Sequence, residues 1–175
     1  MIGSAERVII IGPMGSGKTA VGRQLARMLG YDFADSDHEV EERTGVDISF
    51  IFDKEGEEGF RKRERAAIDD LTQRSGVVVA TGGGAVLDAD NRRHMVSRGY
   101  CVYLRASIDQ QLSRTKNSRH RPLLEDAGDK RARLEELMGE REPLYVQVAD
   151  FVVDTDGRRV EAVAREIKRH LDPAR

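Results

Sequence analysis

Gly12, Gly17, Lys18 and Thr19 stand at the G-x-x-x-x-G-K-[ST] spacing within Gly12-Pro13-Met14-Gly15-Ser16-Gly17-Lys18-Thr19. The chemistry this spacing serves is the holding of a polyphosphate. Glycines let the backbone curl so that successive N–H groups point inward at the anion, a conformation that side chains obstruct. Lys18 then reaches the outer phosphates as a point charge. The Thr19 hydroxyl is placed to ligate Mg²⁺, and the first turn of a following helix adds its positive dipole end. Together these groups hold a nucleoside triphosphate, but such loops serve kinases, GTPases, motors and transporters alike.

Four further groups carry chemistry. Asp35 and Asp37 lie two residues apart at the end of a short strand-like stretch. In an extended backbone both carboxylates point to one side, so that one can face a metal and the other an attacking hydroxyl. Both are also candidate helix-capping acids. Arg61 falls at the edge of an apolar stripe formed by Phe60, Ala67, Ile68 and Leu71, and Arg141 continues the stripe Leu134, Met138 at helical spacing, just before Pro143 breaks its helix. An inward guanidinium requires an anionic partner. For Arg61 that partner is either internal, such as Glu64 at i+3, or a substrate carboxylate, and the residues alone leave both open. Gly82-Gly83-Gly84 is either a flexible turn or a place where backbone must approach a ligand closely. Lys116 to Pro122 is a basic loop, either solvated or able to close as a lid over phosphates, where an arginine is worth about 10³ to 10⁵ in rate.

The elements that must position these groups alternate strand and helix. Val8-Ile9-Ile10-Ile11 is a buried strand feeding the loop, and Val21, Leu25, Met28 and Leu29 recur at helical spacing before Gly30. Tyr31 to Ala34 is a second strand. Helical segments are expected from about His38 to Thr44, Ile48 to Lys54 and Glu57 to Arg74. Val77-Val78-Val79-Ala80 is a continuous apolar run, the mark of a central parallel strand. A helix from Asp90 to Arg98, a strand Cys101 to Leu104 and a helix capped by Ser107 and running to about Thr115 follow. Residues 116–129 break the pattern. Helix resumes near Lys130, and a strand Phe151-Val152-Val153 and a helix with Val160, Val163, Ile167 and Leu171 close the chain. The fold class is therefore α/β, helices on both faces of a five-stranded parallel sheet. In such sheets ligands bind at the carboxyl ends of the strands, so the loop, Asp35-Ser36-Asp37 and Gly82-Gly83-Gly84 should share one crevice.

The chain of 175 residues carries a formal net charge of −2. One domain accounts for that length, and no basic field favours nucleic acid or an anionic membrane surface. The lone Cys101 lies in a strand run, where a buried filler is the expected role. No signal peptide is read at the N-terminus, and no stretch approaches the ~20 apolar residues of a membrane span. A reducing cytoplasm fits these features. No histidine cluster suggests a metal centre.

Six motifs, taken in order, resemble the shikimate kinases: the Gly12 to Thr19 loop, Asp35-Ser36-Asp37, Phe60-Arg61, Gly82-Gly83-Gly84, Arg121-Pro122-Leu123-Leu124 and Arg141-Glu142-Pro143-Leu144-Tyr145. The loop alone is generic; the ordered set is specific. The resemblance implies a three-layer α/β/α, nucleoside-monophosphate-kinase-like fold with sheet order 2-3-1-4-5. It implies transfer of the γ-phosphate of ATP to the 3-hydroxyl of shikimate with Mg²⁺, in the chorismate pathway to the aromatic amino acids. ATP is expected on Gly15, Ser16, Gly17, Lys18, Thr19 and Ala20, with Arg114 against adenine and Arg121 as the lid arginine on the transferring phosphate. Thr19 would bind the metal and Asp35 would support it through water. Asp37 would orient or activate the attacking hydroxyl. Arg61 and Arg141 would clamp the shikimate carboxylate, with backbone contacts from Gly82, Gly83 and Gly84. Residues 35–74 would form the substrate segment and 116–129 the lid of a single domain, expected as a monomer. Rival readings are a gluconate or nucleoside monophosphate kinase and a nucleotide-binding regulator without catalysis. Gluconate also bears a carboxylate, but the motif set stands against it, and every expected catalytic position is filled.

Overall fold

In a computed structural model that describes residues 6–115 and 129–171, the first strand β1 (Arg7–Ile11) is buried on both faces. Its alternate side chains divide between two layers. Val8 and Ile10 pack with helix α1 (Lys18–Leu29) and the closing helix α7 (Val160–Leu171). Ile9 and Ile11 pack with Met95 of α4 (Ala89–Arg98) and Tyr145 and Val148 of α6 (Lys130–Val148). A strand that must satisfy two apolar layers reads as an unbroken apolar run, as β1 and β3 (Val77–Ala80) both do.

Strands β2 (Asp32–Asp35), β4 (Tyr100–Arg105) and β5 (Phe151–Asp154) complete a five-stranded sheet of order β2-β3-β1-β4-β5, parallel throughout. That is the order the family resemblance implied. Strand order reverses between β1 and its neighbours β3 and β4, and at this switch point the loop after β1 opens beside the residues after β3. Thr81 ties the two together, since its backbone N–H and its hydroxyl both donate to the Ile10 carbonyl, at 3.1 and 2.9 Å.

Most expected elements stand within a few residues of their predicted ends. Gly30 closes α1 in the left-handed conformation, and Ser107 caps α5 (Ile108–Thr115) by accepting from the Gln110 N–H. Cys101 is buried, and burial beside Asp150 pushes its thiol up to about 12, leaving it an inert filler.

Four expectations need correction. The segments expected on either side of Gly56 form one element, α3 (Ile48–Leu71), with a kink where Gly56 takes φ 74°, and it stops at Leu71 rather than Arg74. An unpredicted 3₁₀ turn spans Ala85–Leu87. Pro143 does not break its helix, because α6 runs on to Val148. Proline removes only the bond to the Gly139 carbonyl, and both residues are exposed, so water can replace it. Finally, Asp129, expected as the last lid residue, is the N-cap of α6, accepting from the Ala132 N–H. The rest of the expected lid, residues 116–128 including Arg121, lies outside the described residues.

Candidate active site

The loop after β1 folds as its glycines require. Gly15 and Gly17 take φ of 78° and 88°, and Gly17 is the N-cap of α1. Buried Ser16 turns its hydroxyl onto the Pro13 carbonyl at 2.8 Å, stiffening the curl from inside. Lys18 Nζ bridges the loop by donating to the carbonyls of Gly12 and Pro13, both at 2.8 Å.

Asp35 and Asp37 reach the crevice by a different geometry from the expected extended pair. Strand β2 ends at Asp35, and helix α2 (Ser36–Thr44) begins at the next residue, so Asp37 sits in the first helical turn. Asp35 Oδ1 caps that helix, accepting from the N–H groups of Asp37 and His38 at 2.9 and 3.2 Å. Its other oxygen, Oδ2, accepts from the Thr19 hydroxyl at 3.0 Å. One carboxylate therefore caps a helix and faces the loop at once. Paired hydroxyl and carboxylate oxygens at a helix N-terminus are the hard donors that suit Mg²⁺, a cation that otherwise keeps water and phosphate ligands. Among the described residues no cluster of three or more His, Cys, Asp or Glu could hold a metal.

Gly82, Gly83 and Gly84 each lie against a different charged side chain. A Cβ on Gly82 would stand 2.7 Å from Asp37 Oδ1 and 2.8 Å from Glu64 Oε2. One on Gly83 would stand 3.4 Å from Arg141 Nη1 and 3.5 Å from the backbone nitrogen of Met14 in the loop. On Gly84 it would fall 2.3 Å from Arg61 Nη2. The run is thus not merely a flexible turn, because side chains at its first and third positions would displace the charges packed there.

Arg61 and Arg141 differ electrostatically. Arg61 donates to Glu64 at 2.9 Å and Glu57 at 3.2 Å. Burial depresses its pKa, but Glu64 and Glu57 more than offset that and hold it above the usual arginine value. The internal partner considered for Arg61 therefore exists, and the guanidinium still faces Gly84. Arg141 is 3% exposed, and among the described residues no carboxylate lies within ion-pair distance of it. Burial lowers its pKa, with Tyr145 opposing the fall and the nearby positive charge of Arg61 adding to it. Two guanidinium groups, one buried with no carboxylate within ion-pair distance among the described residues, make a receptor for an anion.

A cavity of about 290 Å³ gathers Gly15, Gly17, Lys18, Thr19, Ala20, Asp35, Asp37, Gly82, Gly83 and Arg114. Arg61, Gly84 and Arg141 stand along the same glycine run. Arg114 leans over the loop, since a Cβ on Gly17 would meet its Nη1 at 2.6 Å. A larger cleft of about 810 Å³ between α1 and α2 shares Thr19, Asp35 and Asp37 but no loop residue before Thr19.

Two residues that hold the site stand inside motifs read from the sequence, but no role was assigned to either. Buried Ser36 accepts from the Gly82 N–H at 3.1 Å, and the Tyr145 hydroxyl donates to the Gly83 carbonyl at 2.5 Å. Tyr145 follows Arg141 at i+4 on the same helix face, a spacing that could have singled it out.

A phosphate loop at the switch point of a parallel sheet of this order, facing a carboxylate pair and an anion receptor, defines a small P-loop kinase that moves phosphate onto a small molecule. The chain belongs to the shikimate kinase family, whose model, described as "Shikimate kinase", matches residues 14–172. It is 49% identical over 167 residues to the shikimate kinase of Pasteurella multocida, covering 95% of each chain. It is 55% identical over 166 residues to that of Halorhodospira halophila, covering 95% of this chain and 93% of that one. Among solved structures, shikimate kinase from Acinetobacter baumannii in complex with shikimate superposes with a TM-score of 0.93 at 43% identity, covering 95% of this chain and 92% of that one. The chain is an ATP-dependent kinase.

Proposed function

We propose that this chain transfers the γ-phosphate of ATP to the 3-hydroxyl of shikimate, with the roles divided as follows. The loop N–H groups from Gly15 to Ala20 and Lys18 hold the phosphates, and Arg114, which leans over Gly17, closes the nucleotide side. Thr19, and Asp35 through water, would hold Mg²⁺, which would neutralise phosphate charge. Asp37 accepts the hydrogen bond of the attacking hydroxyl and orients it toward the loop, beside Gly82. Arg61 and Arg141 pin the carboxylate, while Gly82, Gly83 and Gly84 let the ring approach the backbone. Arg121, by resemblance alone, meets the transferring phosphate from a lid within 116–128, and residues 35–74 form the substrate segment of a single domain.

The observation that carries this reading is the buried Arg141 guanidinium beside Arg61 at the mouth of the loop, with Glu57 acting on it only at longer range and no carboxylate within ion-pair distance among the described residues. A desolvated cation so placed requires an anion, and a substrate carboxylate supplies one.

The same reading takes the working unit as a monomer. The net charge of −2 offers no field for nucleic acid. No helix among the described residues is long and apolar enough to cross a membrane, and a cytoplasmic location agrees with the buried, unpaired Cys101.

ADP release measured in parallel with shikimate, gluconate and CMP tests the assignment. Turnover is expected with shikimate only. Comparable turnover with gluconate or CMP would reassign the acceptor.

A further inference from the structure

Strand β3 is released by both of its neighbours at Ala80, which stands opposite Ile10 of β1 on one side and Asp35 of β2 on the other. Beyond Ala80 the ladder gives way to separate attachments. Thr81 is tied back to β1 through the Ile10 carbonyl, and Gly82 donates its N–H to Ser36 Oγ at 3.1 Å. Ser36 is 0% exposed, and α2 does not need its hydroxyl as a cap, because Asp35 Oδ1 already accepts from the N–H groups of Asp37 and His38. The side chain instead continues, by one bond, the pairing with β3 that the backbone gives up where β2 turns into α2.

We propose that Ser36 is a positioning residue for Asp37: its hydroxyl fixes the first turn of α2 against Gly82, and so fixes where the Asp37 carboxylate stands relative to the phosphate loop. This rests on the reading that Asp37 orients the attacking hydroxyl. Two observations beyond the bond itself support it. Asp37 is the next residue in the chain, and its Oδ1 lies 2.7 Å from where a Cβ on Gly82 would stand, so the bond and the carboxylate meet at one backbone position. The bond also closes a circuit around the cavity. Thr19 donates to Asp35 Oδ2 at 3.0 Å, Asp35 leads to Ser36, Ser36 holds Gly82, and Thr81 returns to Ile10, from which the loop runs back to Thr19. Opening the circuit at Ser36 leaves the carboxylate wall and the glycine wall free to move apart.

The test compares Ser36→Ala, Ser36→Cys, Asp37→Asn, the double variant Ser36→Ala/Asp37→Asn and Thr72→Val, each checked by melting curve. Ser36→Ala is expected to slow phosphoryl transfer in a single turnover about 10- to 100-fold, the size that goes with a reacting group misplaced by about 1 Å. The Kd values for shikimate and ATP should stay within about 3-fold, because the groups that grip the two anionic ends are untouched. Cysteine offers a sulfur that accepts only weakly, so Ser36→Cys should slow transfer in the same direction. The double variant should be no slower than Asp37→Asn, because Ser36 acts through Asp37. Thr72 is the control, a buried residue at the end of α3 whose hydroxyl donates to the Ile68 carbonyl at 2.7 Å. Thr72→Val should lower the melting temperature and leave the transfer rate at the wild-type value.

A Ser36→Ala enzyme with lowered melting temperature and a wild-type transfer rate would reduce the hydroxyl to a structural bond and overturn the proposal. So would a loss in Thr72→Val as large as that in Ser36→Ala, or losses that multiply in the double variant. If Asp37→Asn itself leaves transfer unchanged, the reading of Asp37 fails first and takes this one with it. Should Ser36→Ala not fold, Ser36→Cys carries the test, and a wild-type transfer rate in that variant would overturn the proposal.

Discussion

Arg61 and Glu64, one helical turn apart on α3, form an ion pair of 2.9 Å whose carboxylate is only 1% exposed. Burial raises the Glu64 pKa, and the charges of Arg61 and then Arg141 draw it back. Arg61→Ala removes the larger counterweight, so the folded-state pKa of Glu64 should rise further above its unfolded value of about 4.3. A carboxyl with a raised folded pKa contributes its stability below the unfolded pKa and loses it as pH climbs through the folded one. The deficit of Arg61→Ala should therefore be small near pH 5 and grow toward pH 8, where an uncompensated buried carboxylate costs up to about 3–5 kcal/mol. Denaturant unfolding of both proteins across that range measures it, and a deficit independent of pH would mean that Glu64 is not the group left exposed to the change.

Asp35 divides its two oxygens between a helix cap and the Thr19 hydroxyl, and the two tasks can be separated. Asparagine caps a helix as well as aspartate does, so Asp35→Asn should unfold within about 0.5 kcal/mol of wild type, whereas Asp35→Ala should lose about 1 kcal/mol. Both lose the charge that supports the metal on the proposed reading. The Mg²⁺ concentration for half-maximal activity should rise about 10-fold or more in both. A titration that moved only for Asp35→Ala would make the residue a cap and nothing else.

How far these groups were legible depended on how far apart in the chain their partners lie. The Gly12 to Thr19 loop is contiguous and the inward faces of Arg61 and Arg141 follow from helical spacing, so both were readable from residue types alone. Ser36 reaches Gly82 over 46 positions and Tyr145 reaches Gly83 over 62, and no local pattern encodes either contact. The Asp35–Asp37 pair was placed correctly in the crevice through the wrong backbone, because a capping acid that ends a strand also starts a helix. Pro143 misled for a related reason. Its helix is held by Leu134, Leu137, Tyr145 and Val148 packed on one face, and that tertiary burial outweighs one lost bond on the exposed face.

The glycine run offers the sharpest separation of roles. Gly84 has φ −95° and ψ 4°, a conformation open to alanine, so a methyl there strains no backbone. It would instead stand 2.3 Å from Arg61 Nη2 and 2.7 Å from Cζ, at the far end of a flexible side chain that can move aside. Gly84→Ala should accordingly fold, with Arg61 displaced from its post and a loss of stability smaller than that of Arg61→Ala, which removes the charge beside Glu64 altogether. Losing one charge-assisted hydrogen bond of about 1.5–3 kcal/mol to the substrate raises the shikimate KM about 10- to 100-fold. The KM for ATP should stay unchanged, because Arg61 does not line the phosphate cavity. Gly82→Ala, two positions earlier, meets Asp37 Oδ1 at 2.7 Å and Glu64 Oε2 at 2.8 Å, so its loss should fall mainly on kcat through Asp37. Steady-state kinetics of the two variants, with each substrate varied in turn, distinguishes them; if both altered the same parameter in the same way, the assignment of Arg61 to binding and Asp37 to the reacting hydroxyl would not stand.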